Sequence, residues 1–197
     1  MRRFAIAWCS ASIALSATAA TCDPTGLFDR VGQVYGIDPV LLYAIALTES
    51  GARPNAIARN ANGTVDHGAM QINSVHLPTL AGYGIRREYL MDPCTNVAVG
   101  AWVLSNCFAR YGVNWQGVGC YNSATPRLRD AYARKVAYRY NRLRPGNTGS
   151  LAAGPQRAPA SPHPFICAVA AGCLVERSAG GLLVSAFDPR TAQLLTR

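Results

Sequence analysis

The chain has 197 residues, 19 Lys+Arg against 10 Asp+Glu for a formal charge of +9, and is 50% hydrophobic and 15% charged. This half-apolar, modestly charged composition excludes an intrinsically disordered chain, and no run reaches the roughly 18 uninterrupted apolar residues of a spanning helix. No collagen, heptad or solenoid period is present, so the length fits one ordinary domain with extensions.

In chain order, Arg2 and Arg3 precede an apolar run from Phe4 to about Leu15, which closes on Ser16, Ala17, Thr18, Ala19 and Ala20. A basic start, a short apolar core and a small-residue end predict a secretory signal peptide over residues 1–20, in preference to a retained membrane anchor. Export changes how the cysteines are read. Cys9 leaves with the signal, and Cys22, Cys94, Cys107, Cys120, Cys167 and Cys173 remain, an even set that points to disulfides. No CxxC spacing or clustered histidine supports a metal site, since His67, His76 and His163 are isolated; no metal and no cofactor are expected. Spacing does not fix the pairing, because six cysteines allow fifteen connectivities. The working assignment is Cys22–Cys94, Cys107–Cys120 and Cys167–Cys173.

Residues 22–144 read as a compact, mainly α domain. Asp23-Pro24 and Asp38-Pro39 are cap-and-proline helix starts, and Asp92-Pro93 is a third. The first helix carries Leu27, Phe28, Val31, Val34 and Tyr35 at helical spacing and stops at Gly36. The second runs from Val40 through Ala46 to Glu49 and ends at Ser50-Gly51. An Asn- and Gly-rich loop holding Asn55, Asn60, Asn62 and Gly63 follows, and Ser74 is a candidate cap for a short helix through Leu80. The Asp92-Pro93 helix carries one apolar face of Val97, Ala98, Ala101, Leu104, Phe108 and Tyr111, with Gly112 as its stop. A short helix is predicted over Trp115–Tyr121 and an amphipathic one with a basic outer face over Arg127–Leu143. No run alternates convincingly as a strand. Five prolines mark residues 145–164 as a linker, and residues 165–197 form an apolar tail too short for its own core. The tail is open to three readings: partner binding, packing back on the domain, or disorder.

Glu49, Glu88 and Glu176 are the only glutamates. Glu88 lies in a charged turn and Glu176 in the tail, whereas Glu49 ends an apolar helix. Burial and the negative end of the helix dipole both raise a carboxyl pKa, the condition of a general acid near neutral pH. The alternative for Glu49 is a helix-end residue capping the next turn.

Glu49-Ser50, Gly68-Ala69-Met70-Gln71-Ile72-Asn73 and Gly119-Cys120-Tyr121-Asn122, together with Tyr35-Gly36-Ile37, Asn60 to Asp66 and Asp92-Pro93-Cys94, resemble the soluble, goose-lysozyme-like (SLT-domain) lytic transglycosylases. The match is nearest to the small members that serve secretion and conjugation machines, and it covers about residues 22–142. The resemblance implies a lysozyme-like helical domain with a saccharide-binding groove. It also implies cleavage of the β-1,4 bond between N-acetylmuramic acid and N-acetylglucosamine, leaving a 1,6-anhydro sugar. Glu49 then corresponds to the catalytic acid–base. Ser50, Gly68, Met70, Gln71, Asn73, Tyr121, Asn122 and Tyr132 correspond to substrate-side positions: Met70 and Gln71 by apolar contact and amide hydrogen bonds, Tyr121 and Asn122 along the groove, Tyr132 pointing toward the acid. Ser50 is equally readable as a cap, and Asn73 as a residue that orients its loop.

One carboxylate suffices when the substrate's acetamido group and 6-hydroxyl perform the remaining chemistry, whereas an ordinary glycosidase needs two. Asp66 is the nearest rival for a second carboxylate, against a reading in which it orders the Asn-rich turn; Asp130 is expected to balance Arg127, Arg129 and Arg134. Two departures stand out. Some relatives carry an acidic residue where this chain has Leu128. Cys107 and Cys120 are additional to the usual cysteine pair, and are expected to staple the long helix to the Tyr121 segment.

The implied setting is the periplasm of a Gram-negative bacterium, with peptidoglycan strands as substrate and secretion or conjugation components as candidate partners of the tail. A monomer is expected. Two other functions fit the same fold, a lysozyme-type hydrolase and a non-catalytic wall-binding assembly factor. The positive charge also raises nucleic acid as a partner, which an export signal and disulfides argue against.

Overall fold

The computed structural model describes residues 26–144, together with the backbone of residues 175–178 and 181–184. The signal segment, Asp23-Pro24, Cys22, Cys167, Cys173 and the linker lie outside the described residues. Helix α1 (Leu27–Tyr35) starts after Gly26 with no side-chain cap and ends at Gly36. Helix α2 (Pro39–Ser50) starts as its sequence predicts, the Asp38 carboxylate accepting from the Val40 N–H at 2.9 Å. Between α2 and the next helix the chain forms a small antiparallel sheet, β1 (Ile57–Arg59), β2 (Val65–His67) and β3 (Ile72–Asn73), with Ile57 opposite His67 and Asp66 opposite Asn73. These strands of two or three residues are too short to show alternation, so the region read as a loop is in fact a hairpin with a third strand.

The short helix after the sheet is a 3-10 turn over Ser74–His76 running into α3 (Leu77–Ala81). Its cap is Asn73, one residue before the predicted Ser74; Ser74 instead accepts from the Val65 N–H at 3.0 Å and ties the turn to β2. A further 3-10 segment, Arg87–Met91, carries Glu88 in an exposed ion pair with Arg86 at 2.8 Å.

Helix α4 (Pro93–Tyr111) is the centre of the core. Asp92 caps it through the Thr95 N–H at 2.8 Å, but the predicted single apolar face is too narrow a description: every residue from Cys94 to Ser105 is buried. Small residues make this possible. Gly100 packs against Met70, where an added Cβ would lie 2.7 Å from the Met70 methyl. Helix α5 (Trp115–Cys120) is held to α4 by the expected Cys107–Cys120 disulfide. A bridge closing a loop of this size contributes about 3 kcal/mol in the chain-entropy account. Cys94 is also disulfide-bonded. Among the described residues of the tail, β4 (Val175–Ser178) and β5 (Gly181–Val184) pair antiparallel, with Val175 opposite Val184.

Helix α6 (Pro126–Leu143) lies against α2 and α5. Its inward residues Tyr132, Val136 and Tyr140 are spaced by four and form one ridge. The two helices run antiparallel, because contacts join Asp38 to Tyr140 at one end and Glu49 to Tyr132 at the other. The Tyr140 hydroxyl donates to Asp38 Oδ2 at 2.6 Å, and Arg144 reaches Asp38 Oδ1 at 3.2 Å with its guanidinium over the Tyr140 ring. Asp38 therefore serves as a helix cap and as the anchor of α6.

One fully buried polar side chain joins the sheet to α4. Asn96 accepts from the Met70 N–H at 2.7 Å and donates to the carbonyls of His67 and Leu90, both at 2.8 Å. Replacing it by alanine removes three buried hydrogen bonds to backbone groups at once, each costing about 1–3 kcal/mol where the group is left unpaired. Asn96→Ala is therefore expected to lower stability by at least ~3 kcal/mol, measurable by urea unfolding monitored at the far-UV helix signal.

Candidate active site

Glu49 is the penultimate residue of α2, and the chain must turn immediately after it. Gly51 (φ 68°) and Ala52 (φ 59°) both adopt left-handed backbone there. Glycine meets this requirement without steric cost, while alanine carries a modest strain. Ser50 fixes the turn: its buried hydroxyl donates to the Ala69 carbonyl at 2.7 Å and accepts from the Arg53 N–H at 3.0 Å. These bonds make Ser50 a pin between the end of α2 and the Gly68–Gln71 turn.

That turn is pressed against α4. Gly68 has φ 73°, and a Cβ there would lie 2.2 Å from Asn96 Nδ2. Glycine is thus required twice over, for its dihedral and for the close approach. Gln71 is a non-glycine residue at φ 48°, an uncommon conformation that its surroundings must hold in place. They do so through its side chain, whose Nε2 donates to the Gly68 carbonyl at 2.8 Å and the Ala56 carbonyl at 3.3 Å. Met70, expected to offer apolar surface to sugar, is completely buried against α4, so its side chain is core. Its carbonyl is what faces the site, accepting from the Tyr121 hydroxyl at 2.9 Å.

Two tyrosines then connect this turn to Glu49. Tyr121, just beyond the disulfide at Cys120, stacks on Tyr132 with ring centroids 6.4 Å apart and planes 14° from parallel. The Tyr132 hydroxyl donates a short hydrogen bond to Glu49 Oε1. Burial together with the nearby Glu49 charge pushes both phenols well above their usual pKa, so both hydroxyls remain protonated donors. Asn122 follows on the surface, exposed to solvent.

The Glu49 carboxyl is raised from 4.5 to about 7, chiefly by burial. The Tyr132 hydrogen bond opposes the rise, the charge of Asp66 adds to it, and the charge of Lys135 on α6 opposes it. Near neutral pH the group is therefore shared between acid and carboxylate, which suits it to give a proton and take one back.

Asp66 is near enough to act on Glu49, but its oxygens are already engaged. Oδ1 accepts from Asn73 at 2.6 Å and Oδ2 from Asn60 at 2.9 Å, so it orders the hairpin. Asn73 orients the same hairpin while capping the following turn. Asp130 pairs with Arg129 at 3.1 Å on the far side of α6 from Tyr132. Sequence reasoning missed Asn96 and Lys135. For Asn96 the available signal was a polar residue at the head of the apolar run Val97–Ala101; Lys135, one turn beyond Tyr132, carried none.

Comparison with known proteins now places this geometry. The family described as "Transglycosylase SLT domain" matches residues 26–143. "Invasion protein IagB" of Salmonella typhimurium (strain LT2) is 43% identical over 117 residues, 57% of this chain and 73% of that protein. "X polypeptide" of Escherichia coli (strain K12) is 42% identical over 118 residues, 59% of this chain and 70% of that protein. "Protein IpgF" of Shigella flexneri is 38% identical over 121 residues, covering 59% and 80%. The tail beyond Leu143 lies outside the family match. The chain belongs to the transglycosylase SLT family and is a lytic transglycosylase on that family's mainly α, lysozyme-like domain.

Proposed function

We propose that Glu49 is the acid–base of a reaction that cuts the β-1,4 bond between N-acetylmuramic acid and N-acetylglucosamine in peptidoglycan. The observation that carries this reading is a carboxyl raised to about 7 and held by the Tyr132 hydroxyl, at the Glu49-Ser50 position that resembles the family's catalytic pair. Glu49 gives its proton to the glycosidic oxygen as the bond from muramoyl C1 breaks. The substrate's own 2-acetamido carbonyl stabilises the cation at C1. The Glu49 carboxylate then takes the proton of the muramoyl 6-hydroxyl, whose oxygen bonds to C1 and closes the 1,6-anhydro ring. No water is consumed and the acid is regenerated. General acid–base assistance of this kind is worth about 10²–10⁴-fold.

Tyr132 orients the carboxyl and steadies its ionised form. Gln71 Oε1 and the exposed Asn122 amide are available to bond the sugar's hydroxyl or N-acetyl groups, along a saccharide groove beside Glu49. The basic, apolar, small-residue pattern of residues 1–20 supports export, and with it a periplasmic setting for the reaction. One relative's name, an invasion protein, supports a role in opening the wall locally for an envelope-spanning machine, with the tail as the segment available to contact it.

Purified sacculi digested with the wild-type protein are expected to yield anhydro-muropeptides by mass spectrometry, and Glu49→Gln is expected to lower that yield at least ~100-fold. Water-terminated ends would instead assign a lysozyme-type hydrolase.

The rate is expected to fall as pH rises through about 7, where the acid is lost. Tyr132→Phe removes the hydrogen bond that favours the carboxylate, so the same limb should move to higher pH while the maximal rate drops.

Stability should fall with rising pH through the same group. Between pH 4.5 and about 7 the unfolded chain releases this proton before the folded chain does, so ionisation destabilises the fold across that window. Glu49→Gln is expected to raise Tm at pH 8 and to leave it near wild type at pH 4, checked by calorimetry.

A further inference from the structure

The charge of the described domain is segregated. Residues 26–125 carry six Lys+Arg and six Asp+Glu, while α6 alone carries six cations against the single acid Asp130. Arg129 is turned inward, over the Tyr111 ring and paired with Asp130. The other five cations, Arg127, Arg134, Lys135, Arg139 and Arg142, are exposed and, with Tyr138, occupy one face of the helix. The side chains of Arg127, Arg134 and Arg139 have no ion pair or hydrogen bond among the described residues. From Arg127 to Arg142 the stripe extends about 22 Å at 1.5 Å per residue. A surface serving solubility alone intersperses both signs; five exposed cations against one exposed carboxylate, Asp130 beside Arg127 and Arg134, on an otherwise neutral body create a directed field.

We propose that this face of α6 docks the carboxylate-bearing peptide stems of the glycan strand, a second attachment that runs beside Glu49. The inference rests on the peptidoglycan reading above and adds the part of the substrate that the acid itself does not touch. Two observations favour peptide stems over an anionic membrane. The stripe passes the catalytic end, since Tyr132, which bonds Glu49, lies on the same helix between Arg127 and Arg134, and Lys135 one turn further on adds its charge at Glu49. A helix that lies in a membrane interface also needs a continuous apolar face. Here the centre of the stripe offers one large ring, Tyr138, bonded to Arg142 at 2.9 Å, while exposed Leu128 and Leu143 sit at the two ends.

The test uses soluble glycan strands with their stems retained and matched strands from which an amidase has removed them. Both are titrated into fluorescently labelled full-length Glu49→Gln protein, which binds without digesting. Adding Arg134→Gln, Arg139→Gln and Arg142→Gln is expected to weaken binding to stem-bearing strands about tenfold at low salt, with the gap closing by roughly 0.3 M as exposed charges are screened. Stem-free strands should bind both proteins within twofold. The proposal is overturned if the triple substitution leaves binding to stem-bearing strands unchanged, or weakens both kinds of strand equally. It is also overturned if the substitutions abolish binding to phosphatidylglycerol vesicles while binding to strands is kept, which would assign the face to a membrane. Because the titration needs no turnover, stem-dependent binding without anhydro products from the wild type would uphold the surface while removing the reaction assigned to Glu49.

Discussion

The antiparallel contact between α2 and α6 is the constraint from which the site follows. Helix α2 is apolar on nearly all sides, burying Leu41, Leu42, Ala44, Ile45 and Ala46. Such a helix gains from contact but has little in its pattern to fix how far it slides or turns. Directional bonds supply what packing leaves open. Asp38 is bonded by Tyr140 and Arg144 at one end, and Glu49 by Tyr132 at the other, about 16 Å along the helix axis. A displacement of a single residue along the axis would break both closures. Polar groups that must be paired in a low-dielectric interior select one arrangement among several of similar apolar burial.

The same arrangement places an acid where its protonation is finely balanced. Burial raises Glu49, and two partners from α6, the Tyr132 hydroxyl and the Lys135 charge, pull against it. Neither partner is local in sequence, and both depend on the seating of α6. The other wall of the site is stiff for a different reason. The Gly68–Gln71 turn holds two left-handed residues, and Asn96, Ser50 and Tyr121 each bond its backbone. The strain at Gln71 is offset by bonds that reach the turn from α2, from α4 and from the residue that follows α5.

Local rules were readable from the sequence, and long-range ones were not. Asp38 and Asp92 cap their helices, and Gly36, Gly51 and Gly112 end theirs, because these effects involve neighbours a few residues apart. Glu49 was recognisable as a carboxyl at the end of an apolar helix. The sheet was not legible, since strands of two or three residues carry no period, and Asn73 rather than Ser74 became the cap because Ser74 was drawn to Val65. Met70 illustrates a different limit: a motif identifies the position, but only the fold reveals that the side chain enters the core and the carbonyl faces the site. Asn96 reaches Met70, 26 residues away, and Tyr140 reaches Asp38, 102 residues away, separations that no window of sequence contains.

Arg144 is the last described residue of the domain, and its guanidinium grips Asp38, the cap of α2. The point at which the chain departs toward its proline-rich extension is therefore stitched to the first turn of the helix whose last turn bears Glu49. One carboxylate thus fastens the last turn of α6 to the first turn of α2, so the two helices that carry Tyr132 and Glu49 share a single clasp at their opposite ends.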